Sequence, residues 1–217
     1  MYQTFRQDGS DRQIRVQGSG SVKVKPDTAV VQLGVVTEGA DLTTVQDENA
    51  AVTSMVKNQL MAAGVEETDI QTSDYSVFPQ YDYVDGKQVF RGYQVSHMLT
   101  VTVNDIEQTG AVIDAAVQSG ANRVTNIEFT VSQSYYYYQK ALQIALGQAL
   151  ATAQTIANTM NVRLEQKPVR VVEEKSPDVS PLQPYAKTQM LSESAVPIEP
   201  GMMEITARVD VWFPFYP

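Results

Sequence analysis

The residues that most often perform chemistry are scarce in this chain of 217 residues. Histidine occurs once, at His97, and cysteine does not occur at all. The absence of cysteine excludes a disulfide, a thiolate metal site and a cysteine nucleophile. A single histidine makes a zinc site unexpected, because zinc needs several His or Cys ligands. No G-x-S-x-G, H-E-x-x-H or D-x-D-x-D-G motif is present, so the common hydrolase and calcium-binding signatures are missing as well.

Two polar residues fall within apolar patterns. His97 shares the alternating face of a predicted strand with Val95 and Leu99, and Asn49 lies in the apolar stripe of a predicted helix. Buried polar side chains need hydrogen-bond partners. We therefore interpret both as packed structural residues, with a ligand contact as the alternative for Asn49.

The run "GSGS" from Gly18 to Ser21 is similar to a phosphate-binding loop. It lacks a third glycine and falls inside a predicted strand, not between a strand and a helix. A close approach of another backbone, or a strand bulge, explains these glycines better.

Carboxylates give no clear site. Asp82 and Asp85, joined by Asp74 or Glu67, could in principle bind a cation, but their spacing does not favour it. Acid and base pairs of the glycosidase type leave no sequence spacing, so a hydrolase with unrecognised carboxylates stays a less favoured alternative. We predict no catalytic residue, no metal site and no cofactor, and we expect the protein not to be an enzyme.

The charge argues against nucleic acid as a partner. The formal net charge is −9, and the basic residues are scattered apart from Lys23 and Lys25. Binding to phosphates needs a basic face. The first residues, "MYQTFRQDGSDRQ", do not form a signal peptide, and no apolar run is long enough to span a membrane. We expect a cytoplasmic protein if the chain is complete, or an exported or cell-envelope protein if a leader was removed.

Hydrophobic periodicity predicts an alternation of strands and helices. Period-two patterns predict strands, and spacings of three and four predict helices. "DG" at Asp85-Gly86 is typical of a two-residue hairpin turn. The predicted strands are 14–25, 29–37, two hairpin arms within 69–103, 122–133, 167–175 and 202–213, and the predicted helices are 41–63, 105–120 and 134–160.

The order ββαββαβαββ indicates an α+β fold, with an antiparallel or mixed sheet and helices on one face. Strands two to five and the first two helices have the ferredoxin-like order βαββαβ. The chain can also be divided into two βαββ halves, 29–103 and 122–213. We predict a polar N-terminal tail at 1–13, one domain at 14–217 and a mobile loop at 176–200, where five of the ten prolines fall.

Four consecutive tyrosines, Tyr135 to Tyr138, begin the third predicted helix. Successive helical residues turn by about 100°, so the four rings cannot enter one core. Tyr138 belongs to the apolar stripe with Leu142 and Ala145, and the others are open to partial burial, a subunit interface or a ligand stack. Aromatic residues also crowd the hairpin and the C-terminus. The candidate subunit-interface residues are Tyr81, Tyr83, Phe90, Tyr136, Tyr137, Trp212 and Phe215.

Several blocks in order make the chain resemble the SIMPL-domain family of bacterial proteins. They include "VQGSGSVKVKPDTAVVQLGVVTEG", "DIQTSDYSVFPQYDY", "GYQVSHMLTVTVNDIEQTGAVIDAAVQSG" and "QKALQIALGQALATAQTIANTMNVRL". The resemblance implies a periplasmic immunogenic or oxidative-stress defence type of protein that forms homo-oligomers, and it supplies no catalytic residue.

These observations favour a non-enzymatic, self-assembling protein with a role in envelope or oxidative stress tolerance. The partner we expect is the protein itself, and no other protein partner is indicated. The alternative is a small-ligand or peptide-binding module that uses an aromatic groove.

Overall fold

The computed structural model describes residues 12–174, 178–181 and 200–217, with the backbone alone for 178–181. The elements, in chain order, are β1 (Gln13–Val24), β2 (Thr28–Gly39), α1 (Leu42–Ala62), β3 (Ile70–Val84), β4 (Lys87–Val103), α2 (Thr109–Gln118), β5 (Arg123–Thr130), α3 (Ser134–Thr159), β6 (Arg163–Leu164), β7 (Arg170–Glu173), β8 (Asp178–Pro181) and β9 (Met203–Tyr216). Short 3₁₀ turns at Glu67–Asp69 and Ile106–Gln108 precede β3 and α2.

The described chain forms two compact units. The terminal unit contains 12–25, 133–174, 178–181 and 201–217, and the central unit contains 26–132 and Pro200. The terminal unit thus joins the two ends of the sequence, and the segment 26–132 supplies all described helices and strands of the central unit.

The terminal unit is built on β9. This strand pairs antiparallel with β1 along one edge, from Gln13 opposite Pro214 to Val24 opposite Met203. Along its other edge β9 pairs with β6, β7 and β8. One face of this sheet is covered by α3, and the core between them contains Val16, Val209 and Phe213.

The central unit contains a four-stranded antiparallel sheet in the order β3-β4-β2-β5. Its element order, βαββαβ, is that of a ferredoxin-like unit. One face packs against α1 and α2, where Leu33, Leu99, Val56, Leu60 and Val112 form the core. The helix α1 begins at an Asp41 cap, whose carboxylate accepts a hydrogen bond from the Thr44 amide at 2.9 Å.

The structure confirms the α+β class, the antiparallel pairing and the helices on one face of each sheet. The strands form two sheets, because β1 pairs with β9 and not with β2, its neighbour in sequence. The predicted halves, 29–103 and 122–213, differ from the two units, since β5 pairs with β2 inside the central unit. Folding of 14–217 as one domain stays a prediction.

Two predicted segments lie mainly outside the described residues. The N-terminal tail 1–13 is described only at Arg12 and Gln13, and Gln13 begins β1. The predicted mobile loop 176–200 is described only at 178–181, which form β8, and at Pro200.

Candidate functional site

The β3–β4 hairpin has the predicted turn. Asp85 and Gly86 have φ angles of 51° and 77°, and both central positions of a type I′ turn require positive φ. Glycine adopts such angles without strain, and Asp tolerates them better than most residues. The turn therefore sets the register in which Tyr83 lies opposite Gln88 and Tyr81 lies opposite Phe90.

Four aromatic rings lie along one face of this hairpin, and we call them the hairpin aromatic cluster: Tyr81, Tyr83, Phe90 and Tyr93. The ring centroids of Tyr81 and Phe90 are 5.8 Å apart, and those of Phe90 and Tyr93 are 5.1 Å apart, both edge to face. A bulge at Arg91 brings Phe90 and Tyr93 to the same face although three positions separate them.

Most of the cluster is open to solvent. Tyr83 is 76% exposed, Phe90 is 47% exposed and Tyr81 is 45% exposed. The neighbouring Val84 and Val89 are exposed as well. The predicted interface residues of the hairpin are thus brought together and accessible in the single chain.

The tyrosines at the start of α3 point in different directions, as the helical turn requires. Tyr135 and Tyr136 are exposed, Tyr137 is half-buried and Tyr138 is buried. The rings of Tyr136 and Tyr137 contact each other at 5.3 Å, and the Lys140 ammonium lies 4.5 Å from the Tyr136 ring. The prediction that Tyr138 faces the core is confirmed.

Tyr138 also has a polar partner. Its hydroxyl donates a hydrogen bond to Glu173 in β7. This hydrogen bond, together with burial and the charge of Glu173, raises the pKa of Tyr138 to about 12. The contact joins the start of α3 to the edge of the terminal sheet.

Trp212 and Phe215 have partners within the terminal unit. Arg15 in β1 and Arg170 in β7 lie opposite Trp212 on either side, with guanidinium carbons 5.1 and 4.8 Å from its ring centroid. Phe215 packs against the core beneath α3. Intramolecular packing therefore accounts for much of the surface of both rings, and their role at a subunit interface stays a prediction.

His97 is packed in the way the sequence indicates. It lies on the face of β4 between buried Val95 and Leu99, and its Nε2 is 3.0 Å from the Thr72 hydroxyl. The Tyr75 ring contacts it edge to face at 5.3 Å. Burial, and secondarily the charge of Lys57, lowers the pKa of His97. This geometry favours a neutral structural imidazole.

The glycines of the "GSGS" run permit a close backbone approach, as predicted. A Cβ atom at Gly18 would overlap the Ala145 carbonyl oxygen and lie 2.9 Å from the Ala149 Cβ. A Cβ atom at Gly20 would overlap the Ala141 carbonyl oxygen. The run brings β1 against α3, and it is not a phosphate loop.

The carboxylates considered above do not converge. Asp74 accepts a hydrogen bond from Ser76 at 3.1 Å, Asp82 lies 3.9 Å from Arg91, and Asp85 lies in the turn. Within the described ranges no group of three or more His, Cys, Asp or Glu residues is placed to hold a metal ion. Among the described helices, none is both long and apolar enough to cross a bilayer.

Sequence reasoning missed a cleft on the outer face of the central sheet, opposite α1 and α2. Its volume is about 430 Å³, and Ser73, Phe78, Ser96, Arg123 and Thr125 contribute to its lining. Hydroxyl and amide side chains at alternate positions of the strands were the available signal. This signal is weak, because polar residues normally face water on a one-sided sheet.

The geometry defines a two-unit α+β protein with an exposed aromatic hairpin and a polar cleft. The SIMPL family model, described as a protein of unknown function (DUF541), matches residues 14–213. The chain belongs to the SIMPL family.

Similar proteins are known in several bacteria. The chain is 27% identical over 210 residues to the uncharacterized protein YggE of Escherichia coli K12, covering 94% of this chain and 83% of that protein. It is 29% identical over 212 residues to the 26 kDa periplasmic immunogenic protein of Brucella melitensis, covering 92% of this chain and 83% of that protein.

One solved structure is similar over most of its length but only weakly. It is described as the crystal structure of a hydrolase from Listeria innocua, with 13% identity, a TM-score of 0.16, and coverage of 88% of this chain and 91% of that chain. A score this low carries no argument about fold or activity.

Proposed function

We propose that this protein is a non-enzymatic member of its family that assembles with copies of itself through the hairpin aromatic cluster. The exposure of Tyr81, Tyr83 and Phe90 beside one another is the observation that supports the proposal most directly. Scattered apolar residues are ordinary on a protein surface, but contiguous apolar patches mark interaction sites.

The chemistry of the cluster suits a subunit contact. Tyrosine and phenylalanine are enriched at the cores of interfaces, and tyrosine contributes much of the binding energy where it is buried against a partner. Tyr81, Phe90 and Tyr93 are already held by ring contacts through Phe90, so these three side chains have little freedom left to lose on association.

Sedimentation analysis of the pure protein tests self-assembly. We expect the wild type to be larger than a monomer, and we expect Tyr83→Ser combined with Phe90→Ser to weaken association by about tenfold or more. Met55→Gln is the matched control, because Met55 is 54% exposed on α1, outside the cluster. A wild type that stays monomeric at high micromolar concentration would refute the proposal.

We further propose that the protein works outside the cytoplasm, in the cell envelope. The support is the name of the Brucella relative, which calls that protein periplasmic. The cytoplasmic alternative gains no comparable support. Fractionation of cells that express the natural gene decides between them, and recovery with cytoplasmic markers would overturn export.

A role in envelope or oxidative stress tolerance is the biological part of this proposal. It rests on what the resemblance in sequence implies, because the family model describes a protein of unknown function and no residue of the site bears on this role. A deletion strain should be more sensitive to hydrogen peroxide, and the gene should restore tolerance. Equal survival of the deletion strain and its parent would remove this part of the proposal and leave self-assembly to be judged separately.

A further inference from the structure

The cleft on the outer face of the central sheet has the size of a small-ligand site. Its volume of about 430 Å³ falls in the range of roughly 300–1,000 Å³ that such sites occupy. It lies across β3, β4, β2 and β5, on the face that α1 and α2 leave uncovered. The cleft belongs entirely to the central unit and is separate from the hairpin aromatic cluster.

Two strand bulges place hydroxyl groups at opposite sides of this cleft. In β3, Ser73 is the extra residue between Thr72 and Asp74, which pair with neighbouring positions of β4. In β5, Thr125 is the extra residue opposite the step from Gln32 to Leu33. Bulges redirect side chains and are over-represented next to functional sites. Both bulged residues line the cleft.

The floor of the cleft contains the hydroxyl group of Ser96. The residue is only 7% exposed and lines the cleft. Its hydroxyl is not one of the buried side-chain atoms without a hydrogen-bond partner, which among the described residues are Asn49 Oδ1 and Thr53 Oγ1. A bound molecule that both donates and accepts hydrogen bonds can therefore exchange with water at this hydroxyl.

One side of the cleft carries a cation. Arg123, at the start of β5, is exposed and forms no ion pair with the described carboxylates. The lining also contains one carboxylate, that of Asp74, which accepts a hydrogen bond from Ser76. Arg123 is the basic residue of the lining and can pair with an anionic group of a ligand, whereas the charge of Asp74 opposes such a group. A guanidinium group matches a carboxylate in a bidentate geometry.

We propose that the outer-face cleft binds a saccharide that carries a carboxylate group. The serine and threonine hydroxyls, together with Gln32 and Gln94, can each donate to and accept from the hydroxyls of a sugar. Phe78, 54% exposed at the rim, offers an apolar ring to the C–H face of the sugar. Arg123 favours a sugar that carries a carboxylate over a neutral sugar.

Calorimetric titration of the full chain with glucuronate, and with glucose as its neutral counterpart, tests this proposal. We expect glucuronate to bind at least tenfold more tightly than glucose. Arg123→Gln should reduce that preference to about onefold, and Ser96→Ala should weaken binding of both sugars. Arg163→Gln, which changes an exposed arginine of the terminal unit, should leave both affinities unchanged.

Several results would overturn the proposal. Equal binding of glucuronate and glucose by the wild type would show that Arg123 does not select a carboxylate. The absence of a heat of binding for both sugars would show that the cleft is not a saccharide site. If neither sugar binds and Arg123→Gln instead weakens self-association in sedimentation, the cleft is a contact between copies. Arg123→Gln keeps the test valid if Ser96→Ala fails to fold, because Arg123 is exposed.

Discussion

The two units of this protein pack helix against sheet by opposite means. In the terminal unit, α3 presents alanines, among them Ala145, Ala149 and Ala153, to the strand that contains Gly18 and Gly20. In the central unit, α1 presents Val45, Val56 and Leu60 together with the buried amide of Asn49. The helix–sheet contact of the terminal unit uses residues with little or no side chain. The contact of the central unit is filled by large side chains.

This difference predicts opposite sensitivities to mutation. Where two backbones nearly touch, an added atom has no room, and overpacking is the main cost. Where large side chains and a hydrogen-bonded amide fill the gap, deleting atoms is the main cost. Exposed residues of α3 and of α1 can serve as controls for the terminal and the central unit, respectively.

The largest effect should follow the addition of atoms at the glycine contact. Gly18→Val places a side chain against the Ala145 carbonyl and the Ala149 side chain, and should cost about 3 kcal/mol or more. Hydrogen exchange should show faster opening of amides in the terminal unit. Gly147→Ala is the control, because nothing lies within 4 Å of that position in α3. It should stabilise by about 0.5–1 kcal/mol.

A fall in stability confined to the central unit would contradict this expectation. It would mean that α3 can shift away from β1 without loss. The same result would weaken the contrast between the two modes of packing.

Deleting the amide at position 49 should have the next largest effect. The Asn49 Nδ2 group donates to the carbonyl oxygens of Val35 and Val95, at 3.1 and 3.2 Å, and so joins α1 to both β2 and β4. Asn49→Ala should destabilise by about 2–3 kcal/mol in a denaturant titration. Ser54→Ala, at an exposed position of α1, should change stability by less than about 0.5 kcal/mol. Similar values for the two variants would show that the amide is dispensable.

A smaller effect on stability is expected from loss of the hydrogen bond between Tyr138 and Glu173 in β7. Tyr138→Phe removes the hydrogen bond to Glu173 and should cost about 1–2 kcal/mol near neutral pH. The pKa of Tyr138 is raised to about 12, so its contribution is fully present below the unfolded pKa near 10 and is lost as the pH rises through about 12. The stability difference between wild type and variant should therefore shrink in strongly alkaline solution. A stability difference that does not change with pH would show that the cost of Tyr138→Phe does not come from losing this hydrogen bond.

Local patterns predicted most of the elements, and the reasons for the exceptions are physical. The stripe of α1 and the alternating apolar positions of β9 were confirmed, because each element keeps one period along its length. In α2, the spacing from Gly110 and Ile113 places Val117 on the same helical face, but Val117 is 49% exposed, while Val112 and Ala116 are buried. The segment starts with a 3₁₀ turn at Ile106–Gln108, whose shorter period shifts the phase of the helix that follows.

The alanine face of α3 shows a second limit. The predicted stripe included Leu142, which is only partly buried, whereas five alanines of this helix are fully buried: Ala141, Ala145, Ala149, Ala153 and Ala157. Hydrophobicity favours large residues, whereas close contact with glycines selects small ones. Sequence could not show this without the pairing of β1 and β9, which lie at opposite ends of the chain.

The site was predictable in part. Exposed rings near a "DG" turn follow from sequence, because the turn fixes which residues face each other. The cleft was not predictable, because it depends on bulges in two strands that are far apart in sequence. In β5 the apolar residues cease to alternate near Thr125, where the bulge lies.

The smallest expected effect concerns pH and the histidine of the central unit. Burial, followed by the charge of Lys57, lowers the pKa of His97, so the unfolded chain binds a proton more readily than the folded one. Stability should therefore fall as the pH decreases through the unfolded value of about 6.5. Urea titrations on either side of that value should show a larger loss for the wild type than for His97→Gln. An equal loss of stability in the wild type and in His97→Gln would mean that carboxylates elsewhere control the acid sensitivity. Protonation of His97 would then contribute nothing to it.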